Sequence, residues 1–405
     1  MKGLKERAER IRSMAEKRGD ETADLLSQLV RIPSPSGDEG AVVSRIRTLL
    51  LESGFDEVRV DGLGSVIGRI GNGKRVLAFD AHIDTVETGD TDAWEFDPFC
   101  GDVRDGFVLG RGSVDQKGGA AAMIAAGRVL KELGYEGPFT LLFTFTVMEE
   151  DCDGLCWNYL IEEEGVMPDY ALITEPTNLA VTRGHRGRME IELLFKGVSA
   201  HGSAPERGDN AVYKACRAAL GVEELNGRLE GDDFLGKGSV AVTRVESSSP
   251  SLCAVPDGCM MHLDRRLTSG ETRDSALQEA RVVAGPEAEI FIPVYKTKSY
   301  RGKVFPMEKY YPTWVMEEDH PLVRAGTGTA GLLFRKDKPA GRWVFSTNGV
   351  ALCGKHGVPC LGFGPGNEAL AHAPNERVPV SDLVTASAFY GLFPSVLEHT
   401  LEGEE

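Results

Sequence analysis

The sequence predicts an α/β protein in which a mostly parallel β-sheet forms the larger domain and a ferredoxin-like (βαββαβ) domain is inserted into it. The chain has 405 residues, of which 41% are hydrophobic, and this is enough to fill two cores of ordinary size. Apolar strand-like runs alternate with helical stretches in the first and last parts of the chain, a pattern typical of α/β layers. We therefore predict one domain from residues 1–186 and 298–405, and an inserted domain at 187–297.

The larger domain begins with apolar positions at helical spacing over the first thirty residues, and the segment IPSPSGDEG then interrupts this pattern with prolines and glycines. The later strand-like runs are continuously apolar, which is typical of parallel strands covered on both faces. The predicted elements are strands at 66–70, 75–81, 139–147, 171–174 and 358–364, and helices at 120–133, 320–334 and 381–393.

The inserted segment has a different order of elements. Its predicted strands lie at 189–197, 238–245, 259–267 and 288–295, and its predicted helices at 210–229 and 271–283. This β-α-β-β-α-β order is that of a ferredoxin-like unit.

The charge of the chain limits its partners. The formal net charge is −17 and the pI is about 5.1, whereas nucleic acids and anionic membranes require basic faces. The amino-terminal segment is charged throughout, and we expect neither a signal peptide nor an apolar stretch long enough to span a membrane. We therefore expect a cytoplasmic protein whose partner is a small molecule, with no nucleic acid and no membrane.

The eight cysteines are scattered without a CxxC pair, so neither a zinc ribbon nor a disulfide framework is expected. We interpret them as reduced, mostly buried thiols. For Cys152 and Cys156 core packing is the favoured interpretation over a catalytic role.

Acidic and histidine side chains follow the predicted strands. The run RVLAFDAHIDTV ends in His82 and Asp84, which share one face of an extended backbone. The glycine-flanked Asp115 precedes the Ala-rich helix, and the other three strand ends are followed by Glu149 and Glu150, by Glu175 and by His372. Because open α/β sheets bind ligands at the carboxyl ends of their strands, we expect these residues to meet in one site.

Imidazoles and carboxylates of this kind suit Zn²⁺, with Co²⁺ or Mn²⁺ as alternatives. The number of ligands suggests two ions, and Asp115 is the best placed residue to bridge them. Glu149 and Glu150 are adjacent, so their side chains diverge; one can bind metal while the other acts as a general base on a water molecule.

Each of these residues also has an ordinary explanation, such as a polar turn for the two glutamates or a helix N-cap for Asp115. Their repeated position at strand ends favours a common site. Competing motifs fail: GRGSVDQKGG does not fit a phosphate-binding GxxxxGK[ST] loop, GFGPG does not fit GxGxxG, and Ser113 and Ser199 lack a GxSxG nucleophile elbow.

The motifs HIDTV, GRGSVDQKGG, MEED, TEPT, KGVSAHGSAP, DRRLTSGET and GPGNEALAHAPNE occur in this order along the chain. They resemble the dinuclear zinc hydrolases that include acetylornithine deacetylase, succinyl-diaminopimelate desuccinylase and glutamate carboxypeptidase. Through EEDCDGLCW, HGSAPERGDNA and FSTNG the chain looks closest to a branch of selenium-metabolism-linked hydrolases or peptidases.

The resemblance implies roles for individual residues. It implies one Zn²⁺ held by His82, Asp115 and Glu175 and a second held by Asp115, Glu150 and His372. It further implies that Glu149 is the general base, that Asp84 orients His82, and that the peptide bond after Asp115 is cis.

The resemblance also makes the larger domain the catalytic domain and the inserted domain a lid that forms a homodimer. His201 resembles a lid histidine that stabilises the oxyanion in the partner's site. Arg266 resembles a lid arginine that binds a substrate carboxylate, with Arg265 as a rival in register, and Asn348 is a further candidate for a substrate contact.

Glu175 before proline is typical, within this group, of deacylases and carboxypeptidases. We therefore expect metal-dependent hydrolysis of an amide bond in an N-acyl amino acid or small peptide. The alternatives are an aminopeptidase or dipeptidase with the same site, and a non-catalytic binding member of the fold.

Overall fold

The computed structural model describes residues 2–334 and 339–403. Its α-helices are α1 Lys2–Lys17, α2 Gly19–Val30, α3 Gly40–Glu52, α4 Lys117–Glu132, α5 Leu155–Glu162, α6 Ala211–Arg228, α7 Arg273–Ala284, α8 Pro321–Phe334 and α9 Val380–Glu402. Its strands are β1 Glu57–Val60, β2 Val66–Ile70, β3 Arg75–His82, β4 Val103–Arg104, β5 Phe107–Leu109, β6 Phe139–Thr146, β7 Tyr170–Ile173, β8 Gly184–His185, β9 Gly187–Lys196, β10 Gly231–Asp232, β11 Gly236–Lys237, β12 Ser239–Ser248, β13 Gly258–Leu267, β14 Ala288–Phe291, β15 Val294–Tyr295, β16 Met307–Glu308, β17 Tyr310–Tyr311, β18 Trp314–Val315, β19 Cys360–Gly362 and β20 Arg377–Pro379.

The central sheet has the strand order β1-β2-β6-β3-β7-β19. Strands β6, β3, β7 and β19 are parallel to one another, while β1 and β2 form an antiparallel edge that pairs with β6. Consecutive residues are buried over most of β3 and the second half of β6, so both faces of the sheet are covered. The predicted α/β class with a mostly parallel sheet is confirmed.

Helix α9 is the long apolar helix of this domain, and it packs against α1, α4 and α8. The sequence analysis expected no segment with the length and apolarity of a membrane span, and this expectation is wrong for α9. By length and composition Val380–Glu402 meets that criterion, but 72% of its most apolar window is buried inside the fold. Its apolar side chains therefore belong to the core.

The second sheet has the order β12-β13-β9-β14, and all its pairings are antiparallel. Helices α6 and α7 pack against it, and together they enclose a separate hydrophobic cluster drawn from residues 189–292. The predicted ferredoxin-like unit is confirmed. The boundaries at 187 and 297 stay a prediction, and β17, which lies beyond them, adds to the edge of this sheet by pairing with β9.

One predicted strand and two helices differ from the sequence expectation. The strand predicted over 288–295 divides into β14 and β15, because Pro293 lies between them and has no N–H to donate to a ladder. Helices α3 and α5 were not predicted. Helix α3 begins at the last glycine of IPSPSGDEG, and α5 follows Gly154.

Candidate metal centre and active site

The strand ends of the central sheet bring the predicted ligands together. His82 is the last residue of β3, Glu150 follows β6, Glu175 follows β7, and Asp115 immediately precedes the Gln116 N-cap of α4. His372 lies in the segment after β19. Both predicted ligand groups are formed: the ligand atoms of His82, Asp115 and Glu175 lie within 4.8 Å of one another, and so do those of Asp115, Glu150 and His372.

Asp115 occupies the centre of this cluster, with one carboxylate oxygen toward each imidazole. Its Oδ1 lies 3.0 Å from His82 Nε2, and its Oδ2 lies 3.2 Å from His372 Nε2. The other two carboxylates complete the groups, with Glu175 Oε1 3.5 Å from His82 Nε2 and Glu150 Oε2 2.9 Å from His372 Nε2. Such an arrangement allows one carboxylate to bridge two ions. The Asp115–Gln116 peptide bond is cis, as the resemblance implies.

The loop that carries Glu149 and Glu150 is held by two buried acids. The carboxylate of Asp84 accepts the backbone N–H groups of Glu149 and Glu150, at 3.2 and 3.0 Å. Glu39 accepts the N–H of Met148 at 3.1 Å, and Met148 has a positive φ of 62°, which is rare outside glycine. His82 Nδ1 lies 3.0 Å from the backbone oxygen of Asp84 and 3.5 Å from its carboxylate. Asp84 therefore holds both this loop and the imidazole of His82 in position.

The loop that carries Asp115 is held by Glu376, which the sequence analysis did not single out although it ends the motif GPGNEALAHAPNE. The buried Glu376 carboxylate accepts the N–H groups of Gly112, Val114 and Asp115, at 3.0, 2.7 and 3.0 Å. It also pairs with the buried guanidinium of Arg111 at 2.7 Å. Its position beside His372 in the sequence was the available signal.

The electrostatics of the cluster fit a site for cations. Burial raises the pKa of Glu149 well above its usual value and raises that of Glu150 to about 7. Burial would lower the pKa of His82, but the charge of Glu175 and the contact with Asp115 outweigh it and raise the pKa. Hydrogen bonds to Asp115 and Glu150 raise the pKa of His372 to about 10. Carboxylates thus outnumber imidazoles in a buried space, and bound dications would neutralise the excess negative charge.

The donor set fits two metal ions. Imidazole nitrogen and carboxylate oxygen are borderline ligands of the type that Zn²⁺ accepts. Glu175 Oε2 is buried without a hydrogen-bond partner among the described residues, and an unsatisfied buried oxygen of this kind is expected where a ligand is missing.

A cavity of about 330 Å³ opens beside the cluster. The cluster residues that line it are Asp115, Glu149, Glu150, Glu175 and His372, and the other lining residues are Asp153, Arg188, Arg266, Phe345, Ser346, Glu368 and Ala371. Glu149 is 5% exposed, and its Oε2 lies 3.8 Å from His82 Nε2. The carboxylate predicted to act as general base thus lies beside both the ligands and the space where a substrate would bind.

The register of β13 separates the two candidate arginines. Arg266 lines the cavity, with its guanidinium 2.7 Å from Asp264. Arg265 is 1% exposed and pairs on the helix-covered face with Glu271 and Glu279, at 2.5 and 2.9 Å. The structure therefore places Arg266, and not its rival, in the cavity.

Two predicted residues lie elsewhere. The amide of Asn348 is buried, where it donates to Asp80 and Thr146 and accepts from the N–H of Gly154. It has no place in the cavity wall, so the predicted substrate contact is corrected to a supporting contact below the site. His201 is exposed on the lid, where Nδ1 contacts Ser203 Oγ at 2.7 Å. It does not line the cavity of its own chain.

The structure adds Arg188 and Asp153 to the cavity, and the sequence analysis singled out neither. Arg188 faces Arg266 directly across the β9–β13 ladder, and the alternation of polar and apolar residues in RMEIELLF was a signal that Arg188 lies on the polar face.

The cysteines are free thiols. Cys152, Cys156, Cys259 and Cys360 are buried as expected, whereas Cys216 and Cys253 are exposed.

Carboxylates and imidazoles grouped at the ends of parallel strands, beside a cavity that Arg188 and Arg266 of the inserted unit also line, are typical of a metal-dependent hydrolase. Comparison with known proteins agrees: the sequence pattern of peptidase family M20/M25/M40 matches residues 78–394. This match covers more than half of the chain, and the chain belongs to that family. The protein is a metal-dependent amide hydrolase.

Individual relatives and one solved structure are similar over much of the chain. Uncharacterized protein YgeY of Escherichia coli (strain K12) is 49% identical over 385 residues, which cover 94% of this chain and 96% of the relative. A succinyl-diaminopimelate desuccinylase of Cereibacter sphaeroides is 32% identical over 287 residues, which cover 66% of this chain and 74% of the relative. The crystal structure of aminopeptidase PepT from Bacillus cereus has a TM-score of 0.72 at 19% identity, over 94% of this chain and 99% of PepT. At this level of identity, the similarity to PepT concerns the fold alone.

Proposed function

We propose that the protein hydrolyses the amide bond of an N-acyl amino acid or small peptide, in the manner of a deacylase or carboxypeptidase. The observation that carries this proposal is the pair of ligand groups that share Asp115, with Glu149 in the same cavity. A shared carboxylate between two imidazoles is the arrangement expected of a two-metal site.

In this proposal His82, Asp115 and Glu175 hold one Zn²⁺, and Asp115, Glu150 and His372 hold the other. Two Zn²⁺ per chain fit the nitrogen and oxygen donors, and Co²⁺ or Mn²⁺ are alternatives with the same ligands. When bound, such ions polarise a carbonyl oxygen and make water more acidic.

The side chains of the chain itself carry the proton transfers and the binding. Glu149 takes a proton from the attacking water at its carboxylate and returns it to the leaving nitrogen. Asp84 keeps Glu149 in place through the backbone N–H contact at 3.2 Å. Arg266, on the cavity wall, binds a carboxylate of the substrate through its planar guanidinium.

The substrate class rests on Glu175 in TEPT, which favours a deacylase or carboxypeptidase by resemblance, and on the 32% identity with a desuccinylase. An aminopeptidase or dipeptidase with the same site is the alternative, and the substrate panel described below distinguishes them. The narrower likeness to the selenium-metabolism-linked branch stays a prediction.

We further propose a cytoplasmic homodimer formed through the lid, with His201 stabilising the oxyanion in the partner's site. Strand β12 is an edge of the lid sheet, and Val245 on it is 53% exposed. On the neighbouring α6, Tyr213 and Leu220 are 65% and 63% exposed. Exposed apolar residues at a strand edge and on an adjacent helix are suited to pairing with a second copy.

The test combines metal analysis with a substrate panel. We expect about two metal ions per purified chain and turnover of at least one N-acetyl, N-succinyl or dipeptide substrate. Glu149→Ala should keep the metal and lose at least about 100-fold in kcat. The matched control is Glu163→Ala, an exposed glutamate, which should leave both unchanged. A chain that binds no metal under replete conditions would contradict the proposal, as would near-normal turnover by Glu149→Ala with intact metal.

A further inference from the structure

Asp153 has one carboxylate oxygen with no partner. The residue is 4% exposed and lines the cavity. Its Oδ1 lies 3.4 Å from Arg188 Nη1, but its Oδ2 is buried without a hydrogen bond to any residue that the structure describes. Buried carboxylate oxygens are costly to leave unsatisfied, and such an oxygen at the wall of a binding cavity indicates a donor that comes from a ligand.

The metal centre does not account for this oxygen. Asp153 belongs to neither of the two ligand groups, and the position of general base is filled by Glu149. Among the acids that line the cavity, Asp115, Glu150 and Glu175 are ligands, and Glu368 is partly exposed. Asp153 is therefore the one nine-tenths-buried acid of this described cavity wall that has no assignment.

The neighbours of Asp153 hold it in a fixed position. Arg188 contacts Glu190 at 2.8 Å, and its guanidinium lies 5.2 Å from the centre of the Tyr311 ring. An arginine restrained by a carboxylate and a ring has few alternative rotamers. Because Arg188 occupies Oδ1, the hydrogen-bonding capacity of Oδ2 stays unused among the described residues.

Arg266 and Asp153 place one cationic and one anionic side chain in the cavity wall, and this pair suits a substrate that carries both a carboxylate and an amino group. Arg266 provides the cation for a carboxylate, which in an amino acid or peptide lies on the leaving side of the scissile bond. Asp153 provides an acceptor for an N–H donor, and the acyl side is the part of the substrate left for it.

On these grounds we infer that Asp153 is a substrate-recognition residue that accepts a hydrogen bond from an amino group on the acyl part of the substrate. The inference rests on the proposed amide hydrolysis. Because an amino acid that carries an aminoacyl group is a dipeptide, the inference selects the small-peptide part of that proposal, and with it the dipeptidase alternative, over N-acetyl and N-succinyl amino acids.

The test uses two series of compounds that differ in one group. Glycyl-amino acids carry H₂N–CH₂–CO on the amide nitrogen, and N-propionyl-amino acids carry CH₃–CH₂–CO, which has nearly the same shape without the donor. Binding is measured by calorimetry to metal-loaded Glu149→Gln protein, so that the result does not depend on turnover. We expect the glycyl series to bind about 10- to 100-fold more tightly, the range for a hydrogen bond to a charged group.

The variant that isolates the residue is Asp153→Asn, which keeps an oxygen for Arg188 and removes the charge. In the Glu149→Gln background it should reduce the preference for the glycyl series to within about 3-fold and leave propionyl binding unchanged. Asp151→Asn is the matched control: this exposed aspartate lies in the same loop and contacts Tyr295, and it should keep the full preference.

Three results would overturn the inference: equal binding of both series, equal losses for both series in Asp153→Asn, or no binding of either series. None of them affects the proposed function, which is decided separately by metal content and by the dependence of turnover on Glu149.

Discussion

At the scale of single residues, the site depends on buried acids that touch no substrate. Glu376 satisfies three backbone N–H groups of the loop that presents Asp115 and neutralises the buried Arg111. Without it the loop would retain three unsatisfied donors and an unpaired cation. The position of Asp115, the proposed bridging carboxylate, therefore rests on a residue distant in sequence.

We predict that Glu376→Ala lowers the free energy of unfolding by about 3 kcal/mol or more, the usual cost of removing one partner of a buried ion pair. Metal content should fall with it, because Asp115 loses its support. Chemical denaturation and metal analysis measure both effects. Glu376→Gln should be milder, since one oxygen remains as an acceptor, and a wild-type metal content in Glu376→Ala would contradict this account.

The protonation state of His185 makes the stability of the folded protein depend on pH. Burial lowers the pKa of His185 to about 4. Its Nε2 accepts the indole N–H of Trp314 at 2.8 Å and the N–H of Thr347 at 3.2 Å, while Nδ1 faces the carbonyl of Arg186 at 2.8 Å. The ring is thus held as the neutral tautomer with its proton on Nδ1.

The neutral His185 makes the folded state sensitive to acid. Above about pH 6.5 the ring is neutral in both states and contributes no pH dependence. As the pH falls from there toward 4, only the unfolded chain binds the proton, so folding loses about 2 kcal/mol by pH 5. NMR of ¹³C-labelled histidine, assigned with His185→Gln, should show a neutral ring at pH 5. A protonated His185 at that pH would disprove the assignment.

At the scale of elements, the lid sheet sorts charges by its two faces. Met189 and Ile191 of β9 and Leu263 of β13 are buried in the lid core, and the residues between them face away from the helices. Arg265 and Arg266 are neighbours in sequence but lie on opposite faces. The alternation of the strand therefore places Arg265 against the helices of the lid and Arg266 at the cavity wall.

This division predicts opposite outcomes for two similar substitutions. Arg265→Ala should lower the free energy of unfolding by about 2 kcal/mol, because Glu271 and Glu279 lose their buried partner, with little change in KM for the molecules that remain folded. Arg266→Ala should leave thermal unfolding nearly unchanged and raise KM about 10-fold or more. The two variants serve as controls for each other, and equal effects on KM would contradict the assignment.

Close packing between the segments that follow β19 and β7 fixes the position of Glu175, a proposed metal ligand. Gly364 follows β19, and a Cβ added to it would lie 2.1 Å from the backbone oxygen of Glu175 and 2.2 Å from that of Thr174. Only the absence of a side chain allows the two segments to approach so closely.

We predict that Gly364→Ala displaces Glu175 and weakens the metal group that contains His82, so that the chain retains less metal after dialysis. Gly328→Ala in α8 is the matched control, since its added Cβ would meet only a side-chain atom of Val396 at an ordinary 3.7 Å. The measurement is the metal content of both variants after dialysis. An unchanged content in Gly364→Ala would contradict the prediction, because it would show that the backbone accommodates the added Cβ without displacing Glu175.

At the scale of the whole molecule, the proposed dimer makes each active site a product of two chains. His201 is exposed and lies outside the cavity of its own chain. If it serves the partner's site, a chain without His201 and a chain without Glu149 each form an inactive homodimer, yet one site of their mixed dimer is complete.

Co-expression of His201→Ala with Glu149→Ala, carrying different tags, should therefore give a mixed dimer with about half of the wild-type activity, since one of its two sites is intact. Activity of the doubly purified mixed dimer is the measurement. A mixed dimer as inactive as the Glu149→Ala homodimer would place His201 outside the partner's site.

Sequence alone predicted the α/β class, the inserted unit and a cluster of acids and histidines at the strand ends, because strand ends and ferredoxin-like order leave direct patterns in the chain. The division of that cluster into two ligand groups came from the family resemblance. It could not predict Glu376, Asp153 or Arg188 as parts of the site. Their roles arise from contacts between distant segments, such as Glu376 with Val114 and Arg188 with Asp153. The error over Asn348 has the same origin, since nothing local reveals that its amide is used by Asp80 and Thr146.

The position of the inserted unit also bears on how the protein is made. The strands of its sheet from β9 to β14 are continuous in sequence, so this unit can fold while the rest of the chain is still on the ribosome. The central sheet, by contrast, gains its β19 edge and the core helix α9 only after the chain has been made past residue 360. His372 and Glu376 emerge in the same late stretch. A nascent chain that has grown past β14 but not yet to β19 can therefore carry a folded lid sheet while its metal centre still lacks His372 and Glu376.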